Sequence, residues 1–398
     1  MSETTTEAAW SAFCDRLKAV GERIHEADFP SDPRSRAEGL RHLTRLTTYA
    51  VQWFVEFGDP DFPAFHRYDD DVVKWGGPNA DNHYLRAKID PKGTYRIRLD
   101  TRGLREVILS TPEGDMQLDR YRVFAERSLA ELEVAPDGTL EVLLVPEAES
   151  NAGRSDGARN HVPLHPDVDH VLLRLYVTDW ESDAAPSVTI ERVGNEGRAA
   201  GPLSSARVAE GLDRAAEWVE RSVVYWRNYL EQRRTDIGEN RLTPPRSVPG
   251  GAADILYGGG WWHLAPGEGL LVECDRPEAR YWSMQLYSTP WFESLDIANR
   301  VASLNGEQMQ VDDDGRFRLV VSAEDPGIPN WLDTEGRESG LLSYRWIWAR
   351  TVPVPTARAV PLASLRTELG KTTPAFGAAE RRAQIEKRRA GITRRFRR

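Results

Sequence analysis

The sequence predicts a mainly β protein with flanking helices: two β-sandwich or jelly-roll-like modules from an internal duplication, joined by a long helix. Three observations predict it. Short β-branched or aromatic runs, separated by Pro, Gly, Asp and Asn, lie on both sides of residue 200. One uninterrupted amphipathic stretch, Ser204 to Asp236, stands between them. The flanking segments echo each other in order, as two copies of one supersecondary unit would.

The chain opens in helix. Trp10, Phe13, Leu17, Val20 and Ile24 draw one apolar stripe, and Thr4 with Glu7 fits a capping box. A second helix follows FPSDPRS, carries Leu40, Leu43, Thr47, Ala50, Trp53, Phe54 and Phe57 near one face, and stops at Gly58-Asp59-Pro60. Residues 1–60 are thus an N-terminal helical segment. From about Asp61 the period becomes two: GTYRIRLD, EVILSTP, LEVLLVPE and HVLLRLYVTDW read as strands of a first module, residues 61–200. Within it, Glu149 to Asn160 is a polar loop. Over residues 203–236, Val208, Leu212, Ala215, Val219, Val223, Trp226 and Leu230 keep helical spacing. Ser204 or Ser205 serves as N-cap, and Arg233 and Arg234 suit the C-terminal dipole. RLTPPRSVPGG breaks that helix. Strands resume in GLLVECD, YWSMQLYS, RFRLVVS and GLLSYRWIWART, the second module at residues 250–362. Residues 371–398 form a basic C-terminal helix or tail.

A length of 398 residues suits two domains, and 13 Trp predict many half-buried or groove-lining indoles. Net charge is −10. The last 28 residues hold ten Lys/Arg and two Glu, a local +8, which leaves −18 on the other 370. That acidic body would repel a polyanion, so the basic end is expected to dock on the protein rather than on nucleic acid. Cys14 and Cys274 have no metal or disulfide spacing. MSETTTEAAW lacks the charge and apolar core of a secretory signal, and no run of about 18 apolar residues exists. The expectation is a reduced, cytoplasmic protein off the membrane, with a homo-oligomer left open.

The echo pairs PDGTLEVLLVPEA…ARNHVPLHPDVDHVLLRLYVTDW with DDGRFRLVVSAEDPGIPNWLDTEGRESGLLSYRWIWAR. Each gives Asp-Gly, an alternating strand, a Pro-bearing loop, an Asn, then a strand with an Arg inside, Arg174 or Arg345. Because Asn160 and Asn330 occupy the same place, Asn330 reads as a corner whose amide ties down backbone. Trp331 and Asp333 are not echoed, so any function peculiar to that loop rests on them.

Tyr281-Trp282, Gln285, Tyr287, Asp296, Asn299, Asp314-Gly315, Pro326-Gly327, Asn330-Trp331 and the Arg345 strand appear in a familiar order. Over residues 257–360 this resembles the bacterial family catalogued as domain of unknown function 1214, which often follows domain of unknown function 1254. The resemblance implies tandem jelly rolls and carries almost no chemistry.

The candidate chemistry is spread over four places. NHVPLHPDVDH holds His161, His165 and His170, weak candidates for a divalent metal because their spacings do not point two imidazoles from one strand face. Phe65 to Tyr84 is the densest mixture of acids, amides, His and rings in the first module, read chiefly as turns. YGGGWWHL brings Gly-rich backbone beside Trp261 and Trp262, with His263 as its titratable group; it is no P-loop. In YWSMQLY, Tyr281, Ser283, Gln285 and Tyr287 share a polar-aromatic strand face, and Trp282, Met284 and Leu286 share the apolar one.

The expected function is an enzyme of hydrolase or lyase type without a nucleotide cofactor. It would act by side-chain acid/base chemistry on a small organic or sugar-like molecule in a Trp/Tyr-lined cleft. His263 or Asp333 would carry the proton, Tyr281, Gln285, Tyr287 and Asn330 would orient the ligand, and Trp261 and Trp331 would wall it. The alternative is a non-catalytic carbohydrate-binding, small-molecule-binding or scaffolding protein.

Overall fold

The structure is a computed structural model that describes residues 6–150, 160–182, 186–248, 254–370 and 372–397. Thr4 of the expected capping box, and most of the expected polar loop after Glu149, lie outside the described residues. Among the described residues, seventeen strands form four sheets, with helices before, between and after them. The chain divides into two compact units. One comprises residues 1–75, 83–176 and 186–226; the other comprises 76–82, 177–185 and 227–398.

The first unit begins with α1 (Thr6–Arg23) and α2 (Pro33–Val51). Phe13 and Val20 of the expected stripe are buried in α1, but Trp10 is 58% exposed. Asp32 caps α2 by accepting from Ser35 N at 2.9 Å, with Pro33 at the first helical position. The helix then widens into a π-turn over Gln52–Glu56, closed by Phe57 N donating to Gln52 O. The strands are β1 (His66–Asp69), β2 (Asn82–Lys88), β3 (Tyr95–Asp100), β4 (Glu106–Pro112), β5 (Val123–Ser128) and β6 (Thr139–Pro146). After the single turn α3 (Glu147–Ser150) come β7 (His161–Leu164), β8 (His170–Tyr176) and β9 (Val188–Arg192).

They make two sheets, β1-β2-β8-β4-β5 and β7-β6-β3-β9; β1–β2, β8–β4, β4–β5, β6–β3 and β3–β9 are antiparallel and β6–β7 is parallel. One core joins both: Ala87, Val107, Leu109, Leu173 and Leu175 pack with Tyr95, Ile97, Leu140, Val142 and Val162. Strand alternation follows from this. Leu85 and Ala87 of β2 turn to that core, so Tyr84, Arg86 and Lys88 turn to the other face of the sheet.

The long helix, α4 (Ser205–Ile237), lies within two residues of the expected bounds and buries Leu212, Ala215, Val219 and Val223. The second unit adds β10 (Ile255–His263), β11 (Glu268–Asp275), β12 (Ala279–Tyr287), β13 (Ser303–Asn305), β14 (Arg316–Ser322), β15 (Trp331–Asp333), β16 (Ser339–Ala349) and β17 (Thr356–Pro361). Its sheets run β10-β16-β12-β13 and β15-β14-β11-β17, with β14 and β15 parallel. Strand for strand this repeats β2-β8-β4-β5 and β7-β6-β3-β9. Trp282, Met284, Leu286 and Trp346 share a core with Val272, Phe317, Leu319 and Val321. Cys274 lies in this core, where burial pushes its thiol up to about 12.

Two helices close the chain, α5 (Leu362–Leu369) and α6 (Ala378–Phe396). The basic end is a helix anchored on the second unit by three buried arginines seven residues apart. Arg381 grips Asp325 with Nε and Nη2 and lies over Trp331 at 4.9 Å. Arg388 donates to the carbonyls of Ile297, Arg300 and Ser303 and lies over Trp180 at 4.6 Å. Arg395 also lies over Trp180, at 5.0 Å. Burial lowers the Arg388 guanidinium to about 10, so it stays charged at neutral pH.

Candidate functional site

The first unit sets its basic strand face against aromatic helices. Arg86 is 1% exposed. Its guanidinium carbon stands 3.7 Å from the Trp53 ring, 4.4 Å from Tyr49 and 5.1 Å from Tyr68. Its Nη1 is 3.2 Å from each oxygen of Asp115, whose Oδ2 also accepts from Trp218 Nε1 at 2.8 Å. The π-turn matters here, because its extra residue turns both Trp53 and Phe54 inward. Such turns recur at functional sites.

Two residues along β2, Lys88 lies over the same indole at 4.6 Å. Its Nζ is 2.5 Å from Asp169 Oδ2, and that oxygen is also 3.0 Å from His170 Nδ1. Lys88 opens onto a cavity of about 140 Å³, lined by Phe54, Asp59, Arg207, Gly211 and Arg214 among others. Gly211 lets α4 pass close to the π-turn, since a Cβ there would stand 2.7 Å from Phe54 O. Arg207 pairs with Asp59 at 2.6 Å, and Arg214 approaches Asp169 Oδ1 at 3.8 Å.

Burial sets the proton affinities. It drives the Lys88 ammonium down to about 8; Asp169 opposes this, and the charges of Arg214 and Arg86 add to it. Burial alone would raise the Asp169 carboxyl. The Lys88 charge and the His170 hydrogen bond outweigh it, and the group is held well below the usual carboxylate range. Burial also lowers His170, against the pull of Asp169. His66 falls to about 3 through burial and the Arg86 charge, so it is neutral; its Nε2 is 2.9 Å from Gln52 Oε1. The arrangement provides a partly deprotonated amine beside a fixed carboxylate, at a pocket rimmed with arginine. That is the equipment of a general base or amine nucleophile.

Of the residues singled out in the sequence, His170 and, from the Phe65–Tyr84 stretch, His66 and Tyr68 lie here, and the others lie elsewhere. His165 stacks on Phe124 at 3.9 Å, and His161 is half-buried at the start of β7. They do not converge on His170, and among the described residues no three His, Cys, Asp or Glu side chains form a metal-ligand group. The Tyr281/Gln285/Tyr287 face is covered rather than open to a cleft. Tyr281 Oη lies 2.6 Å from Asp81 Oδ2, Gln285 (0% exposed) bonds Ala80 N and Pro78 O, and Tyr287 bonds Pro78 O. The segment Gly76–Asn82 thus fills the face because its free backbone groups need those amide and hydroxyl partners.

Trp261 is buried with Tyr287 and Leu341. The glycines before it relieve packing: a Cβ on Gly258 would meet the Tyr344 ring at 2.1 Å. His263 is exposed and paired with Glu239 at 2.9 Å. Asp333 accepts from Arg300 at 2.8 Å, and the Trp331 indole donates to Ser322 O. Asn330 is the backbone corner expected: Oδ1 accepts from Gln310 N, and Nδ2 donates to Gln310 O and Arg318 O. Asn160 does the same to Glu133 N, Glu133 O and Glu141 O.

A cavity of about 280 Å³ in the second unit borders Trp180, Glu181, Glu307, Lys387 and Arg388. Its charges are spent internally, as Lys387 on Glu181 and Glu307 on Thr178. Charges are paired around both cavities; the first-unit site carries the stronger case because the amine on its wall is lowered by burial to about 8. Sequence reading passed over Arg86 and Lys88, and met Asp169 only as an acid between the histidines of NHVPLHPDVDH. The available signal was YLRAKID, which sets two cations on one strand face and apolar residues on the other.

Residues 270–350 match the family described as Protein of unknown function (DUF1214). Among solved structures, an uncharacterized protein from Burkholderia cenocepacia is 32% identical, with a TM-score of 0.80 over 90% of this chain and 98% of that one. The VPA0106 protein from Vibrio parahaemolyticus is 12% identical, with a TM-score of 0.45 over 87% of this chain and 99% of its own. No curated protein matches the chain.

Proposed function

The chain belongs to one family with the uncharacterized Burkholderia cenocepacia protein, and its residues 270–350 match the family described as Protein of unknown function (DUF1214); because neither likeness names any chemistry, we propose a function from the site itself. The protein is an enzyme without a nucleotide cofactor that moves a proton on a small organic anion, in a lyase-type reaction at the first-unit pocket. Lys88 is the proton carrier. Its free amine takes a proton from carbon next to a carbonyl or carboxyl group. The resulting ammonium sits against Asp169; the electron pair left on carbon either takes a proton back, which gives exchange with solvent, or forms a double bond to the next carbon as the group there leaves with its bonding electrons, which completes the lyase-type reaction. On the pocket wall Lys88, Arg207 and Arg214 outnumber Asp59 and Glu210, which favours an anion over a neutral sugar. The observation that carries this reading is a buried lysine lowered to about 8 and opening on a cavity.

Proton NMR in D2O tests it, with a panel of small 2-oxo and 2-hydroxy acids. The protein should catalyse loss of the α-proton signal from at least one member, and Lys88→Met should not. Saturable binding across the panel with no exchange or turnover would instead favour the alternative, a non-catalytic small-molecule-binding protein.

We also infer that the two units are jelly-roll-like copies of one ancestral module joined by α4, in the tandem arrangement with domain of unknown function 1254. The repeated strand order and the matching amide corners at Asn160 and Asn330 support this. A cytoplasmic location remains part of the proposal; among the described residues, no helix is long and apolar enough to cross a membrane.

A further inference from the structure

Arg86 uses only part of its hydrogen-bonding capacity inside the protein. Asp115 takes Nη1, and the rings of Trp53, Tyr49 and Tyr68 lie around the guanidinium. The Nε–H and Nη2–H groups are fully buried and meet no acceptor among the described residues. These two groups form the side edge of the guanidinium, with parallel N–H bonds spaced for the two oxygens of one oxyanion. Leaving such donors unanswered in a buried site costs more than a formed hydrogen bond returns.

The neighbourhood is unsatisfied in a complementary way. Tyr49 Oη, whose ring covers Arg86, has no partner among the described residues, and neither has His66 Nδ1. His66 sits directly across from Arg86 in the β1–β2 ladder. Its Nε2 faces the Gln52 carbonyl oxygen and carries the proton, so Nδ1 presents a bare lone pair. The Gln117 amide, two residues beyond Asp115, is likewise unpartnered at both ends. The set offers a two-pronged donor for a carboxylate and, beside it, an acceptor and a hydroxyl for an O–H group.

We propose that the side edge of Arg86 is a carboxylate subsite, and that the ligand is a small hydroxycarboxylic acid whose hydroxyl is read by His66 Nδ1 and Tyr49. This deepens the function proposed above and rests on it only for the reacting end. Arg86 and Lys88 are two residues apart on β2, about 7 Å along the strand, and share the Trp53 ring.

Calorimetry on the full chain with acetate, glycolate, lactate, acetamide and inorganic phosphate tests the subsite. Glycolate and lactate should bind at least tenfold more tightly than acetate, and acetamide should not bind. His66→Phe, which keeps a ring in the stack, should bring glycolate down to the level of acetate. Arg86→Lys, which keeps the charge but removes the edge, should lose at least tenfold in glycolate affinity. Lys88→Met should still bind glycolate measurably while losing proton exchange, so a failed proton-carrier reading and a failed subsite give different results. Phosphate binding more tightly than every carboxylate, acetamide matching glycolate, no binding by any probe, or His66→Phe leaving the glycolate preference intact would each overturn the proposal. If Arg86→Lys fails to fold, the acetamide comparison and His66→Phe still decide it.

Discussion

Lys88 Nζ and Asp169 Oδ2 lie 2.5 Å apart, the amine buried at the pocket wall and the carboxylate half-buried beside it. The carboxylate holds its charge because two proton-bearing neighbours share it. The ammonium holds its own less firmly because water is excluded and two guanidinium groups stand near.

Lys88 should therefore titrate more than two units below an ordinary lysine. Competitive labelling with acetic anhydride across pH, read by mass spectrometry, should give a midpoint at about 8 for Lys88, with surface lysines titrating at about 10.4. Arg214→Gln removes a repelling charge and should raise the midpoint. A wild-type midpoint at the surface value would remove the basis for the proton-carrier role.

His66 makes the fold sensitive to mild acid. Its folded pKa is about 3, against an unfolded 6.5. Below pH 6.5 only the unfolded chain takes the proton. The stability is complete above pH 6.5 and is lost as pH falls toward 3, with about 2 kcal/mol gone by pH 5. Urea unfolding at pH 7 and pH 5 should show this loss reduced by about that amount in His66→Phe. Equal losses in the two proteins would mean that His66 is already charged in the fold.

Arg388 closes the loop around residues 297–303. Arg388→Met would strip donors from the carbonyls of Ile297, Arg300 and Ser303 and should cost about 3 kcal/mol. Arg382→Ala, on the exposed side of α6, should stay within about 0.5 kcal/mol. Similar unfolding midpoints for the two variants would show that the buried arginine does not anchor α6.

The two amide corners should behave alike in kind and differ in size. Asn330→Ala orphans Gln310 N, Gln310 O and Arg318 O in a buried setting and should cost about 2–3 kcal/mol. Asn160→Ala removes the same three bonds where water can replace them and should cost about 1 kcal/mol. Asp at either place keeps the acceptor, loses the donors, and should recover only part of the loss. A cost below 0.5 kcal/mol at Asn330, measured by urea unfolding, would contradict the corner role.

Much of the fold was legible because it is written in local periods. The spacing from Val208 to Leu230 drew α4 nearly to the residue, and the alternation in YWSMQLY placed Trp282, Met284 and Leu286 in a core. The polar face of that same strand was legible as polar and misleading as a surface. Nothing near Tyr281 in the sequence announces that Gly76–Asn82 returns from two hundred residues away to bond it. The Lys88 site was hidden for a similar reason. Arg86 and Lys88 look like a solvated strand edge until Trp53, Asp115, Asp169 and Trp218 are brought over them from four separate parts of the chain. Only His170 and the polar, aromatic stretch from Phe65 to Tyr84, which holds His66 and Tyr68, hinted at that place.

The cover over Tyr281, Gln285 and Tyr287 also limits how the chain can be cut. A fragment beginning at Arg227 would contain every strand of the second unit and still leave the Tyr281 hydroxyl and the Gln285 amide facing water. The peptides that answer them are encoded upstream, among residues 76–82 and 177–185. Whatever its origin, the second unit is no longer a bead that recombination could lift out whole. Its inheritance is tied to that of the first.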